Sequence, residues 1–525
     1  MKSYKIIFSC LIIGSMLIWN SCDQATSSHD NTPPLNNQTQ DNITLAKATK
    51  KDPELVPGRY IVVYKDQGNR QISKHAAEVA RQRTDAIFSE LSIKKDSLIH
   101  QYSYALKGFA AKLTTEQVQA LKRDSRVEAI VQDVRYKAIQ MMPSSSSNVS
   151  NTLMSQSTPW GITRVGGPFD GTGKKAWVLD TGIDLDHADL NVDVSNSVSF
   201  VAGESADDGH GHGTHVAGTI AAKDNSTGVV GVAADADVVA VKVCNSSGEC
   251  YTSDLDAGVD YIVSNYSSGD VANISLGWPI TGNSRVDLAL SVMENTIETA
   301  ADNGLMFAIA AGNESQDANN KSPARIEYNN VWTVSAHDDN DDFAWFSNYG
   351  NPPIEYSNPG VDIPSLWRNG GTNTISGTSM AAPHIAGLLL ANGNNIFTDG
   401  TVSNDADSNP DEIAVGRIPA PHITASVSND RPKLDWNTVD GAQSYNIYRR
   451  FESGSWSLIT NVTGTTFTDV NVVNPNLHVI TSPPWNYEDF YSYRVHAVPA
   501  SGPSSVASNY RYFSYEECTG PGCAS

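Results

Sequence analysis

Residues 176–184 read Ala-Trp-Val-Leu-Asp-Thr-Gly-Ile-Asp. The apolar run Ala176 to Leu179 suits a buried strand, and it delivers Asp180 to a turn at Thr181-Gly182. The same pattern recurs down the chain. Val238 to Val243, Val271 to Leu276, Leu305 to Ala310 and Val331 to Ser335 are further short apolar runs. Helical stretches such as Thr214 to Ala222, Thr252 to Ser264 and Leu288 to Asn303 lie between them. This alternation predicts an α/β body over residues 159–417: a mainly parallel sheet flanked by helices, with functional residues at the strand ends.

Polar residues at two further ends matter for chemistry. HGHGTHVAG, residues 210–218, puts His215 near the start of a helix, and SGTSMAAPHIAGLLLA, residues 376–391, puts Ser379 at the start of another. A serine hydroxyl attacks a peptide carbonyl only when a base takes its proton, and histidine titrates near the working pH. A carboxylate on the other ring nitrogen fixes the tautomer and stabilises the imidazolium. Asp180, His215 and Ser379 are therefore the expected catalytic set. Each alone is an ordinary loop or capping residue, so the joint occurrence carries the reading. His384 is expected to be packed.

VLDTGI, GHGTHVAG and GTSMAAP, with AAGNE around Asn313, match the signatures of one family in order. Over residues 156 to about 395 the chain resembles the subtilisin-like serine peptidases (subtilases), and Asp, His, Ser is the order subtilisin itself uses. The resemblance implies that Asn313 and the Ser379 backbone N–H form the oxyanion site. It also implies that Asn273 to Gly277 binds the substrate backbone, with Ser275, Leu276 and Gly277 lining the pocket beside the scissile bond. Main-chain pairing is largely indifferent to side chains, so broad specificity is the default. Trp278 stands where the family often has a second glycine; it either narrows the pocket or packs outside it. No organic cofactor is implied, and calcium is expected as a structural ion. Asp184, Asp186 and Asp189, or Asp338, Asp339, Asp341 and Asp342, are candidate ligands. Zinc is disfavoured: His210, His212 and His215 are close, but no HExxH is present.

Ahead of the body, residues 53–138 carry strand signals at Gly58 to Tyr64, Leu106 to Leu113 and Val127 to Val134, and helix signals at Lys74 to Leu91 and Thr115 to Leu121. A β-α-β-β-α-β order predicts a small α+β domain. It resembles the family's inhibitory chaperone propeptide, whose carboxyl end occupies the active-site groove. Residues 139–158, rich in serine, read as a processing linker, with cleavage between about Gln140 and Pro159.

The 525 residues hold 36 Lys and Arg against 58 Asp and Glu, a formal charge of -22. That argues against nucleic acid or an anionic membrane surface as the main partner. Residues 50–137 carry 17 basic and 11 acidic side chains, a net of +6, whereas residues 138–525 carry 16 and 44, a net of -28. The basic segment is expected to dock on the acidic body. Lys2 and Lys5 precede the apolar stretch Ile6 to Trp19, too short for a membrane span of ~20 residues, so residues 1–22 read as a signal peptide. Cys22 resembles a bacterial lipoprotein site, a lipidation candidate, and residues 23–52 form a polar linker. Secretion or attachment to the outer cell surface follows. Export also favours disulfides between Cys244 and Cys250 and between Cys518 and Cys523.

Residues 418–515 alternate apolar and polar faces without helices and predict an all-β sandwich. Trp436, YNIYR at 445–449 and YSYRVHAV at 491–498 resemble a fibronectin type III domain. A tail, residues 516–525, follows. The sequence thus predicts a monomeric serine endopeptidase with protein and peptide substrates, inhibited by its own propeptide. Two rivals are an adhesion protein that binds through the sandwich and a maturation protease for one dedicated precursor.

Overall fold

The computed structural model describes residues 52–65, 72–139, 141–142, 149–150, 154–417, 420–439, 441–452, 454–480, 490–500, 504–505, 508 and 511–514. The signal peptide, Cys22 and the Cys518–Cys523 pair lie outside these residues. Among the described residues no helix is long and apolar enough to cross a membrane.

The body is built on a ten-stranded sheet. Its central strands Asp237–Lys242, Lys175–Asp180, Val271–Ile274, Met306–Ala310 and Val331–His337 lie side by side and parallel. Successive side chains on a strand face opposite sides of a sheet. Ala176, Val178, Ala240 and Ala308 therefore face one way, into a core shared with Val216 and Ile220 of helix His212–Ala221 and Met380 and Ile385 of helix Thr378–Asn392. Trp177, Leu179, Val241 and Phe307 face the other way, against Leu255 and Ile262 of helix Thr252–Asn265 and Met293 and Ile297 of helix Ser284–Asp302. The alanines on the first face let the two helices that carry His212 and Ser379 lie close to the sheet.

The amino-terminal domain has the predicted order: strand Glu54–Tyr64, helix Lys74–Glu90, strands Leu98–Tyr102 and Gly108–Lys112, helix Thr115–Leu121 and strand Val127–Lys137. Its sheet gains a strand from the body, because Glu249–Tyr251 pairs antiparallel with Val127–Lys137, Glu249 opposite Lys137 and Tyr251 opposite Arg135. Buried polar bonds hold the two together. Asp133 accepts from Ser253 N (3.0 Å), Thr252 Oγ1 (2.8 Å) and Ser253 Oγ (2.7 Å), capping the helix that starts at Thr252. Arg59 pairs with both Asp133 and Asp254, and His100 Nε2 lies 2.7 Å from Asp254 Oδ1. Asp260 of the body accepts from the backbone N–H groups of Ser103 (2.8 Å), Tyr104 (2.7 Å) and Leu106 (3.3 Å).

Beyond the body, the described strands form a three-stranded sheet (Ile423–Ser428, Arg431–Trp436, Thr466–Thr468) and a five-stranded sheet. They share a core of Ile423, Leu434, Trp436, Ile447, Tyr493, Val495 and Phe513.

Removing the Asp260 carboxylate strands three N–H groups, those of Ser103 and Leu106 buried, each buried one costing ~1–3 kcal/mol. In an uncut Ser379→Ala precursor, Asp260→Ala should therefore raise the rate at which an added protease digests residues 52–139 by at least about tenfold. An unchanged rate would show that these bonds do not hold the domain down.

Candidate active site

Asp180 ends its strand at the carboxyl edge of the sheet and is fully buried. Its carboxylate receives the Nδ1 of His212, at 2.8 Å from Oδ1 and 2.9 Å from Oδ2, and the backbone N–H of Thr181 at 2.7 Å. The predicted partner was His215, and the structure corrects it to His212. His215 sits one turn further into the same helix, where its Nε2 lies 3.0 Å from the Ile363 carbonyl and its ring packs edge-on to Trp367. Burial, and after it the neighbouring His212 ring, pushes His215 down to about 3, so it stays neutral. His212 Nε2, buried and with no hydrogen-bond partner in the structure, is the atom positioned to take a proton.

Close approach of the helix start to Asp180 has local causes. A Cβ on Gly213 would fall 2.0 Å from the Gly182 carbonyl and 3.1 Å from Asp180 Cβ, so only glycine allows the contact. Asp208, which the sequence reading passed over, gathers the N–H groups of His210 (2.9 Å), Gly211 (2.8 Å) and Thr214 (2.9 Å) and the hydroxyls of Thr181 (2.9 Å) and Thr214 (2.7 Å). Its signal was present as an aspartate three residues ahead of Gly211, the residue at the helix cap.

Ser379 is the second residue of helix Thr378–Asn392, after Gly377. Its hydroxyl donates to the Ser275 carbonyl at 3.1 Å, and the Ser275 hydroxyl donates to the Ser379 carbonyl at 2.9 Å. Asn313 lies beside it. Its Oδ1 accepts from Thr378 N (2.8 Å) and Thr378 Oγ1 (2.9 Å), which turns the amide nitrogen toward Gly377. His384 is packed: Nδ1 lies 2.8 Å from the Met380 carbonyl, and burial pushes the ring down to about 4.

Leu276, Gly277, Ala310, Gly312, Asn313 and Ser379 surround a pocket that Ala138 also touches. The chain leaving the amino-terminal domain enters here: Ile139 N lies 3.5 Å from the Gly248 carbonyl, and beyond the site Met142 N–H donates to the Ser376 carbonyl at 2.9 Å. Trp278 is not part of the pocket wall. It is fully buried in the second core and pairs with Ser322 across a two-stranded ribbon, so of its two expected places it takes the one outside the pocket and is not a substrate contact. Lys321 and Glu314, which the sequence reading did not single out, do line the pocket, joined as an ion pair.

Cys244 and Cys250 form a disulfide, closing the loop that carries Gly248. Among the described residues no group of three or more His, Cys, Asp or Glu side chains could hold a metal. The two acidic clusters are engaged otherwise. Asp184 accepts from Gly370 N, Asp189 from Asn225 and Val229 N, Asp341 pairs with Arg164, and Asp342 binds Ser403 and Asn404.

Residues 171–403 match the subtilase family and residues 59–138 match peptidase inhibitor I9. Alkaline serine exoprotease A of Vibrio alginolyticus is 33% identical over 397 residues, 73% of this chain and 69% of its own. An alkaline protease of Alkalihalobacillus alcalophilus is 36% identical over 336 residues, 63% of this chain and 79% of its own. A solved cold-adapted subtilisin-like serine proteinase is 31% identical, covering 51% of this chain and 99% of its own with a TM-score of 0.41. Sequence shared along most of the body with enzymes named as an alkaline serine exoprotease and an alkaline protease, behind an inhibitor segment of its own, makes this chain a serine endopeptidase of the subtilase family.

Proposed function

We propose that the endopeptidase is exported as an inactive precursor, cuts its own linker between Ile139 and Met142, and then hydrolyses extracellular proteins. The observation that carries this reading is the buried Asp180–His212 pair at the same strand-end edge as Ser379. Ser379 Oγ attacks the scissile carbonyl while its proton passes to His212 Nε2. Asp180 keeps the other ring proton on Nδ1 and stabilises the imidazolium. Negative charge collects on the former carbonyl oxygen, where Asn313 Nδ2 and the Ser379 N–H donate to it. Collapse of the intermediate returns the proton from His212 to the leaving amine, and water then cleaves the acyl-enzyme by the same steps in reverse order.

Ala138 at the pocket, and Met142 paired with Ser376 beyond it, support the self-inhibited state. Backbone pairing of this kind tolerates most side chains, which supports wide substrate use away from the pocket. Secretion or surface attachment through Cys22 belongs to the same reading. So does a fibronectin type III-like role for the all-β unit, supported by Trp436 and Tyr493 buried in its core.

Three outcomes are expected. Ser379→Ala should accumulate as the full-length precursor on gels and by intact mass, whereas wild type yields a chain beginning between Gln140 and Met142. His212→Ala should fold but fail to react with a serine-directed phosphonate, while His215→Gln should lower Tm yet keep labelling; the reverse pattern would restore His215 as the base. Asn313→Ala should lower kcat by about 10²–10³-fold, the loss measured for such an asparagine in subtilisin, with little change in KM.

A further inference from the structure

The chain leaving the active site meets the body again beyond Ser376. Ser150 N–H donates to the Thr372 carbonyl at 3.0 Å, and Thr372 N–H donates to the Ser150 carbonyl at 2.9 Å. Met142 with Ser376 and Ser150 with Thr372 are both antiparallel bridges. They fall along one edge of the strand Gly371–Ile375, whose other edge pairs with Ile363–Trp367 in a two-stranded hairpin. Backbone groups of a strand turn alternately to its two edges, so Thr372, Thr374 and Ser376 all face the side the linker takes. The Thr374 N–H is met locally by Asn373 Oδ1 at 2.9 Å, so there the carbonyl is the group offered.

This edge is firmly held. Ile363, Leu366, Trp367 and Ile375 are buried in the first core. Ser365 Oγ donates to the His215 carbonyl at 2.8 Å, and His187 Nε2 lies 3.1 Å from the Gly371 carbonyl. Asp184 ties down the turn by accepting from Gly370 N–H at 2.8 Å. A fixed edge is a template for another strand, because it pairs with any extended chain and needs no ordering of its own. It also leads to the nucleophile, since Ser379 lies three residues past Ser376.

The linker does not follow this strand step for step. It takes eight steps, from Met142 to Ser150, to cover the four from Ser376 to Thr372. Extended chains advance about 3.4 Å per residue, so a substrate holding Ser376 as Met142 does reaches Thr372 only four residues later.

We infer that the edge from Ser376 to Thr372 is a binding site for the leaving side of substrates, held as an added strand over five residues, and that the enzyme therefore favours extended polypeptide over short peptides. This rests on the proposed reading that Ser379 is the nucleophile and that Met142 lies on the leaving side of the cut.

The test uses mature enzyme, its active sites counted by phosphonate labelling, on internally quenched peptides identical up to the cleaved bond and carrying two, four, six or eight residues after it. The value of kcat/KM should rise by about tenfold from four residues to eight, the worth of one or two backbone hydrogen bonds. In the longest peptide, N-methylation of single backbone nitrogens should lower kcat/KM by about tenfold at every second residue, those facing Ser376, Thr374 and Thr372, and change it little between them. Thr372→Pro removes one edge N–H and should shrink the advantage of eight residues over four. A profile flat beyond four residues, or methylation effects that do not alternate, overturns the inference, and the peptides decide alone where the variant does not mature. Absence of labelling would instead sink the Ser379 assignment, and this inference with it.

Discussion

A buried carboxylate is costly unless its lone pairs are met, and the geometry of this enzyme follows from satisfying Asp180. The His212 ring and the Thr181 N–H converge on it from the turn and the helix that follow. Bringing that helix near enough requires Gly213 against Gly182, alanines on the sheet face beneath, and Asp208 collecting the N–H groups of the entering loop. They position the one that exchanges the proton, and a shift of one helical turn puts a histidine in the core, as His215 shows.

The same preference for satisfied buried groups explains how an acidic body holds a basic domain. Exposed pairs contribute little, but the bonds between Asp133 and helix Thr252–Asn265, and between Asp260 and loop 103–106, are buried. Separation returns Asp254, Asp260 and Arg59 to water, which offsets much of what their bonds contribute. Attachment therefore depends strongly on the domain being part of the same chain. A covalent link keeps its effective concentration high, and cutting the linker removes that advantage at once.

Short apolar runs made the central strands legible, because strands of a parallel sheet are buried on both faces and read as continuous hydrophobic stretches. Asp180, Ser379 and Asn313 were legible for a related reason, each marking the place where such a run or a glycine turn ends. The choice between His212 and His215 was not. Both belong to one short motif three residues apart, and only the position of the helix start relative to Asp180 separates them. Gly211, with φ of 108°, fixes that start one residue before His212. Trp278 and Lys321 were hidden for the opposite reason: their places depend on a two-residue ribbon between segments about 40 residues apart, which no local pattern announces.

A buried ion pair is weak evidence for stability, since well-packed apolar residues often serve as well or better. Lys321 and Glu314 therefore invite an account in terms of what meets them rather than of the fold they sit in. Their wall adjoins Ser379 and Ala138 in the pocket. Away from it, strand pairing at Gly248 and at Ser376 reads only main chain.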